Sequence, residues 1–175
     1  YTVAENNLPL YEKPDLNSKI ILKLPIGIDV QWVKKIDKIK TKVGMTETYW
    51  IYVKAGMLNP ANNNKLMGWV LMNSLMGMEP RGFECLDGFT QVTKIMLKEN
   101  KFEKNYFSDW VDKRLFEINE NGTFTVKIFE GDAPEKIETG RIFKYKSLYL
   151  ANTNNAFAGF YIDENMNFKI TGIIG

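Results

Sequence analysis

The sequence predicts an all-β fold arranged in two domains. Short segments in which apolar and polar residues alternate recur along the chain, for example at residues 28–32 and 124–128. This period of two is typical of half-buried strands. Turn-forming residues separate the segments, and Asn121-Gly122 is the dipeptide most favoured in tight β-hairpins. Aromatic residues, which pack well on pleated sheets, make up 13% of the chain.

A break in these patterns divides the chain after residue 76. Gly77, Pro80 and Gly82 interrupt both strand and helix periodicity. We therefore expect a first domain at residues 1–78, a linker at residues 79–86 and a second domain at residues 87–175. The linker holds the single cysteine of the chain, so no internal disulfide is expected.

The composition favours a non-catalytic protein. The chain contains no histidine, which removes the Ser-His-Asp and Cys-His nucleophile systems and most zinc sites. Residues 1–78 carry 10 basic and 6 acidic residues, and residues 79–175 carry 13 and 15. Neither balance gives the strongly basic surface typical of nucleic-acid binding, and no apolar run approaches the roughly 20 residues of a transmembrane helix. We expect no catalytic residues, cofactor, metal, nucleic-acid partner or transmembrane segment.

The first predicted domain consists of short strands and turns. Pro9 and Pro14 exclude a helix interior near its start. An elongated lysine-rich hairpin is expected at residues 33–48, a strand at residues 49–53 and a loop at residues 59–64. Seven short motifs occur in the following order: Pro14; Ser18-Lys19-Ile20-Ile21; Gly27; Val30; Trp50-Ile51-Tyr52-Val53; Gly68-Trp69-Val70; Ser74-Leu75.

This series of motifs resembles the bacterial SH3-type domain. The resemblance implies a small β-barrel at the N-terminal end of the chain. Members of that family commonly bind cell-wall peptides or accompany wall-degrading enzymes as targeting modules. The resemblance therefore implies a location in the cell envelope, periplasmic or extracellular, and a partner that is either cell-wall peptidoglycan or an envelope protein.

Aromatic residues of the first domain are candidates for a peptide-binding groove. Tyr11 lies in a loop bracketed by prolines, where a large side chain is hard to bury, and Glu12 follows it. Tyr49, Trp50 and Tyr52 would line the rest of a groove that docks an extended peptide. The alternative is that Trp50 and the tryptophan of the Gly-Trp-Val motif fill the barrel core.

Lysines of the predicted hairpin are candidates for contact with an anionic surface. Lys34, Lys38, Lys40 and Lys42 recur over nine residues, and such a cluster attracts anionic polymers or membranes. The alternative is a solvated strand edge, because lysines commonly keep exposed edges from pairing with other chains.

The second predicted domain begins with a segment, residues 87–113, whose structure the pattern leaves open. Val92, Ile95 and Met96 fit one face of a short helix, whereas Phe102 and Tyr106 suit strands. Beyond it, short strands with tight turns predict an antiparallel β-meander or barrel. The expected strands are residues 116–118, 124–128, 142–145, 148–150, 160–162 and 168–170.

Part of this second domain resembles small lipocalin-like (calycin) barrels. The motifs that carry the resemblance are Leu115-Phe116-Glu117-Ile118, Asn121-Gly122-Thr123-Phe124, Glu138-Thr139-Gly140 and Leu148-Tyr149-Leu150. The resemblance implies an alternative function, the transport of a small hydrophobic ligand inside the barrel. Inward aromatic side chains that fill the interior would leave no room for it.

The spacing of the acidic residues supports neither a glycosidase-like site nor a calcium loop. A glycosidase-like hydrolase needs a pair of carboxylates, and the spacing of the available ones singles out no pair. A calcium loop starting at Asp163 would need Gly at its sixth position and Glu at its twelfth, which are Phe168 and Ile174. The carboxylates considered for the hydrolase are Glu117, Glu120, Glu130, Asp132, Glu135 and Glu138.

Overall fold

The prediction of an all-β fold is confirmed. The computed structural model describes residues 1–55, 66–77, 88–107, 111–153 and 157–174. Within these ranges the chain forms strands and one 3-10 turn at Met72–Ser74, with no α-helix, so the helical interpretation of residues 92–96 is wrong. No helix in this part of the chain could cross a membrane.

The chain separates into two compact units, Tyr1–Leu86 and Asp87–Gly175. The expected linker at residues 79–86, with Cys85, lies outside the described residues.

The first unit contains one large antiparallel sheet and one small one. The strands are β1 (Thr2–Val3), β2 (Leu8–Tyr11), β3 (Ile20–Leu24), β4 (Gln31–Trp32), β5 (Ile39–Val43), β6 (Thr46–Lys54), β7 (Met67–Leu71) and β8 (Leu75–Met76). The large sheet has the order β3-β2-β7-β6-β4, with β5 also paired to β6, and β1 pairs with β8 in the small sheet. The expected loop at residues 59–64 lies outside the described ranges.

The core of the first unit lies on one face of the large sheet. Inward side chains from the main strands are almost completely buried, and the largest of them are Leu10, Leu24, Ile51, Val53 and Val70. The lysine-rich hairpin is shorter than predicted. It comprises β5 and β6 and turns at Gly44, whose φ of +61° suits glycine. The preceding residues form a separate turn, in which the Ile36 N–H donates to the Val33 carbonyl at 3.0 Å.

The second unit is an antiparallel meander that curls into a half-barrel. Strands β10 to β16 pair in sequence order, and β9 pairs with β13. The strands are β9 (Thr90–Gln91), β10 (Lys101–Phe107), β11 (Val111–Ile118), β12 (Thr123–Glu130), β13 (Lys136–Tyr145), β14 (Leu148–Asn152), β15 (Phe157–Ile162) and β16 (Phe168–Ile174).

The hairpin predicted at Asn121-Gly122 is confirmed as the connection between β11 and β12. Gly122 has a φ of +78°, and the Asn121 side chain accepts the N–H of Thr123 at 3.1 Å. Beyond the turn, Phe124 and Val126 are fully buried, as the alternation predicted. Their neighbours on the same inner face include Phe116 and Phe160, which are also buried.

Candidate functional site

The face of the large sheet opposite the core of the first unit carries a group of aromatic side chains. Along β6, Ile51 and Val53 point into the core, so Trp50 and Tyr52 point to the opposite face. Directly paired residues of neighbouring strands share a face, and Tyr52 pairs with Trp69, which in turn pairs with Tyr11. We call Tyr11, Trp50, Tyr52 and Trp69 the outer aromatic face.

Edge-to-face contacts hold the outer aromatic face in place. The rings of Tyr11 and Trp50 meet at a centroid distance of 5.4 Å and an angle of 87°. Those of Tyr52 and Trp69 meet at 5.3 Å and 63°. Such arrangements are favoured by the ring quadrupoles. Trp50 is only 3% exposed, whereas the other three residues are half-buried. Trp50 therefore supports the other rings from beneath, and those three rings remain within reach of a ligand.

A glycine allows the strands that carry this face to approach each other. A Cβ atom at Gly68 would lie 2.7 Å from the Tyr11 carbonyl oxygen and 2.8 Å from Cγ of Leu10. Any larger residue would push β2 away from β7. The Gly-Trp-Val motif thus has two roles, since the glycine admits β2 and the tryptophan faces outward beside Tyr11.

Apolar residues extend the outer aromatic face on both sides. Ile20 on β3 pairs with Tyr11 and is 43% exposed. Ile39 on β5 pairs with Trp50 and is 42% exposed. An apolar surface that crosses five neighbouring strands is more than the scattered exposed residues found on most proteins, and such surfaces commonly mark interaction sites.

The structure brings together three of the five residues proposed from sequence and separates a fourth. Tyr11, Trp50 and Tyr52 share the outer aromatic face. Tyr49 lies on the opposite face of β6, where it packs against the core and beneath Lys38, whose Nζ is 4.5 Å from the ring centroid. Glu12 is exposed directly after Tyr11, and its N–H donates to the Lys19 carbonyl at 2.9 Å.

A core position was the alternative expected from sequence for Trp50 and for Trp69, and Trp69 does not occupy one. It lies half-buried on the outer face, because its neighbours Gly68 and Val70 are the buried residues of β7. The sequence did contain a signal for this: in the Gly-Trp-Val motif, alternation along a strand places the tryptophan on the face opposite the glycine and the valine. Trp50 is buried, as the core interpretation expected, but it is buried on the face away from Ile51 and Val53.

The candidate lysines do not form one surface. Lys40 pairs with Tyr49 and Lys42 with Glu47, so these lysines lie on the face opposite the outer aromatic face. Lys40 also forms an ion pair with Glu47 at 3.1 Å, with both side chains more than 60% exposed. Such exposed pairs contribute little to stability. Lys34 lies apart from them, in the turn after β4, where it lines a cleft.

Acidic side chains of the second unit are mostly engaged in ion pairs and turns. Glu117, Glu130 and Glu135 each contact a lysine at 3.1 to 3.5 Å. The Thr153 hydroxyl donates to Glu138 at 2.7 Å. Among the described residues, no group of three potential metal ligands comes together.

Asp163 stabilises the turn between β15 and β16. Its carboxylate accepts the backbone N–H groups of Asn165 and Asn167, both at 2.9 Å. The hydrogen bond from Asn167, followed by those from Asn165 and the charge of Lys169, lowers the pKa of Asp163 below its ordinary value of 3.8. These bonds give the carboxylate a structural role in the turn.

Comparison with known family models, curated proteins and solved structures finds no match for this chain. Two features of the first unit are suited to binding a ligand: the outer aromatic face and the cleft beside Lys34.

Proposed function

We propose that this chain is a non-catalytic binding protein of the bacterial cell envelope. Its first unit, an SH3-type module, would recognise a cell-wall peptide through the outer aromatic face, with an envelope protein as the other partner class. The observation that carries the proposal is the position of Tyr11, Tyr52 and Trp69, half-buried on one face above the buried Trp50. The sequence resemblance supplies the class of ligand.

The chemistry of this face supports a peptide ligand. Tyrosine and tryptophan present flat apolar surface together with an O–H or N–H group, which is why they are common where an extended peptide docks. The ring contacts and the close approach of β2 to β7 at Gly68 hold these side chains in place before binding. A prearranged surface loses less conformational entropy when the ligand binds.

Co-sedimentation with purified cell-wall sacculi tests the proposal. The full chain should be retained in the pellet, and Tyr11→Ala and Trp69→Ala should each weaken retention by roughly tenfold or more. Tyr49→Ala is the matched control, because it removes a tyrosine from the opposite face of the same sheet. Urea unfolding of each variant shows whether a loss of retention reflects unfolding.

The outcomes separate the partner classes. Equal retention of wild type, Tyr11→Ala and Trp69→Ala would exclude the outer aromatic face as the wall-binding surface. No retention of the wild-type chain would exclude the wall as ligand. In that case the same variants should be compared for capture of envelope proteins from a membrane extract.

The two alternative functions have weaker support. A carrier of a small hydrophobic ligand needs an interior cavity, but the described inner face of the meander is covered by stacked phenylalanines such as Phe102 and Phe116, 4.5 Å apart. A wall hydrolase needs two carboxylates at one site, but Glu117, Glu130 and Glu135 are spread over surface ion pairs.

A further inference from the structure

A cleft of about 1060 Å³ opens beside the edge strand β4 of the first unit. Its size is near the upper end of the range typical of small-molecule sites. The cleft has an apolar part and a basic part. The residues that define it here are Tyr1, Trp32, Lys34, Lys35, Lys54 and Met67, and we call it the basic cleft.

The charge of the basic cleft comes from residues distant in sequence. Lys34 and Lys35 follow β4, and Lys54 reaches the same cleft through its pairing with Gln31 on β4. None of the described residues that line the cleft is acidic. The ion pairs formed among the described residues involve other lysines. Three lysines that line one concave surface raise the positive potential there, which attracts anions.

Trp32, one of the residues that line the basic cleft, carries a buried hydrogen-bond donor without a partner among the described residues. The indole Nε1 of Trp32 is inaccessible to solvent and has no hydrogen-bond partner within the described part of the chain. Buried polar atoms of this kind are few in native proteins. Apolar groups also contribute to the wall: the ring of Tyr1 lies against Gly77, and Met67 pairs with Lys54.

We propose that the basic cleft binds an organic anion, a carboxylate or phosphate group attached to an apolar or aromatic body. Lys34, Lys35 and Lys54 bind the anionic group, and Trp32, Tyr1 and Met67 pack against the apolar part. Lysine suits this role because its ammonium group acts as a compact point charge for phosphate and carboxylate. Lys54 and Met67 lie two residues from Tyr52 and Trp69 along β6 and β7 and therefore share their face of the sheet, but the site requires none of the four residues of the outer aromatic face.

Titration of the full chain followed by ¹H–¹⁵N NMR of the tryptophan indole signals tests this proposal. Trp32→Phe assigns the Trp32 signal by its disappearance. Phenyl phosphate and benzoate should shift this signal saturably, and the tighter of the two identifies the preferred anionic group. Benzyl alcohol, which has the ring without the charge, should leave it unchanged. Inorganic phosphate, which has the charge without the ring, should bind more weakly than phenyl phosphate.

Two triple variants of equal charge locate the binding site. Lys34→Gln/Lys35→Gln/Lys54→Gln should weaken binding of phenyl phosphate roughly tenfold or more. The matched control Lys13→Gln/Lys19→Gln/Lys23→Gln removes three exposed lysines of the same unit that do not line the cleft, and it should keep wild-type affinity. The proposal is overturned if the Trp32 signal does not move, if both triple variants lose affinity equally, or if inorganic phosphate binds as tightly as phenyl phosphate.

Discussion

The aromatic clusters described above lie on opposite sides of the sheets in the two units. In the first unit, tyrosine and tryptophan occupy the face away from the core, at Tyr11, Tyr52 and Trp69. In the second, phenylalanines such as Phe116 and Phe124 occupy the inner face and are fully buried. Phenol and indole groups carry a polar atom that needs water or a partner, whereas a phenyl ring does not. At these positions the kind of aromatic residue matches its side of the sheet, whereas Tyr49 and Tyr149, which pack against the two cores, do not follow this rule.

Ring geometry differs in the same way between the two units. The outer aromatic face uses edge-to-face contacts, such as the 87° contact of Tyr11 with Trp50. The inner face of the meander includes stacked rings, with Phe102 and Phe116 only 5° from parallel, together with an edge-to-face contact at 77° between Phe160 and Phe168. Stacking turns the faces of two rings towards each other, which suits a packed core. The outer aromatic face differs in that Tyr11, Tyr52 and Trp69 are only half-buried, so part of each side chain stays accessible to a ligand.

Removal of an inner phenylalanine should have the largest effect. Phe116→Ala leaves a cavity in the core of the second unit and should destabilise it by about 3–5 kcal/mol. Urea unfolding followed by circular dichroism measures this loss. The matched control is Phe129→Ala, at a half-buried position on the outer face of β12, which should lose clearly less. Similar losses for both variants would show that the inner stack is not the main source of stability.

Glycines of the two units should respond differently to a methyl group. At Gly140 in the second unit, an added Cβ would overlap the backbone carbonyl of Asn152, so Gly140→Ala should cost about 1–3 kcal/mol or more. At Gly44 in the first unit, no atom lies within 4 Å of such a Cβ and only the φ of +61° opposes alanine. Gly44→Ala should therefore cost about 1–2 kcal/mol. Differential scanning calorimetry compares the two, and an equal loss would mean that space around Gly140 is not limiting.

Tyr11→Ala should affect binding far more than stability. Tyr11 is half-buried and lies outside the core, so we expect a loss of stability of about 1 kcal/mol. Retention on sacculi should fall much further, as proposed above. Trp50→Ala provides the contrast, because its buried ring supports Tyr11 and its removal should reduce both properties. If Tyr11→Ala destabilised the chain as much as Trp50→Ala, the distinction between a buried supporting residue (Trp50) and a ligand-contacting residue (Tyr11) would be wrong.

The smallest effect is expected at the turn that Asp163 stabilises, and it should depend on pH. Because the folded-state pKa of Asp163 lies below the ordinary value of 3.8, the carboxylate stabilises the fold above that pH. This contribution is lost as the pH falls through the lowered pKa. Asp163→Asn should therefore lower the urea midpoint at pH 7, with the difference from wild type shrinking at pH values below 3.8. Glu164→Gln, at the exposed neighbouring position, is the control. A difference independent of pH would exclude the charge as its cause.

Much of the fold follows from patterns that act over a few residues. The hairpin at Asn121-Gly122 was predictable because those two residues favour the turn by their own backbone preferences. The buried face of β12 was predictable because Phe124, Val126 and Ile128 alternate with polar residues. The segment at residues 92–100 was not, since its apolar spacing fits a helix, whereas its backbone bonds to β13 and to the turn between β11 and β12. There, the Val92 N–H donates to the backbone carbonyl of Ile142, and the Ile95 N–H donates to the backbone carbonyl of Glu120.

The candidate surfaces show where local patterns stop being informative. Residues 49–53 are apolar on both sides, so alternation along β6 could not tell which of Tyr49 and Trp50 faces outward. Pairing with β7 decided this, because Val70 is buried in the core and Trp69 faces away from it. Likewise Lys34 and Lys54, 20 residues apart in the chain, line one cleft only through the pairing of β4 with β6. Strand class and turns depend on neighbouring residues, but the exposed face of a sheet and the lining of a cleft depend on contacts between distant strands.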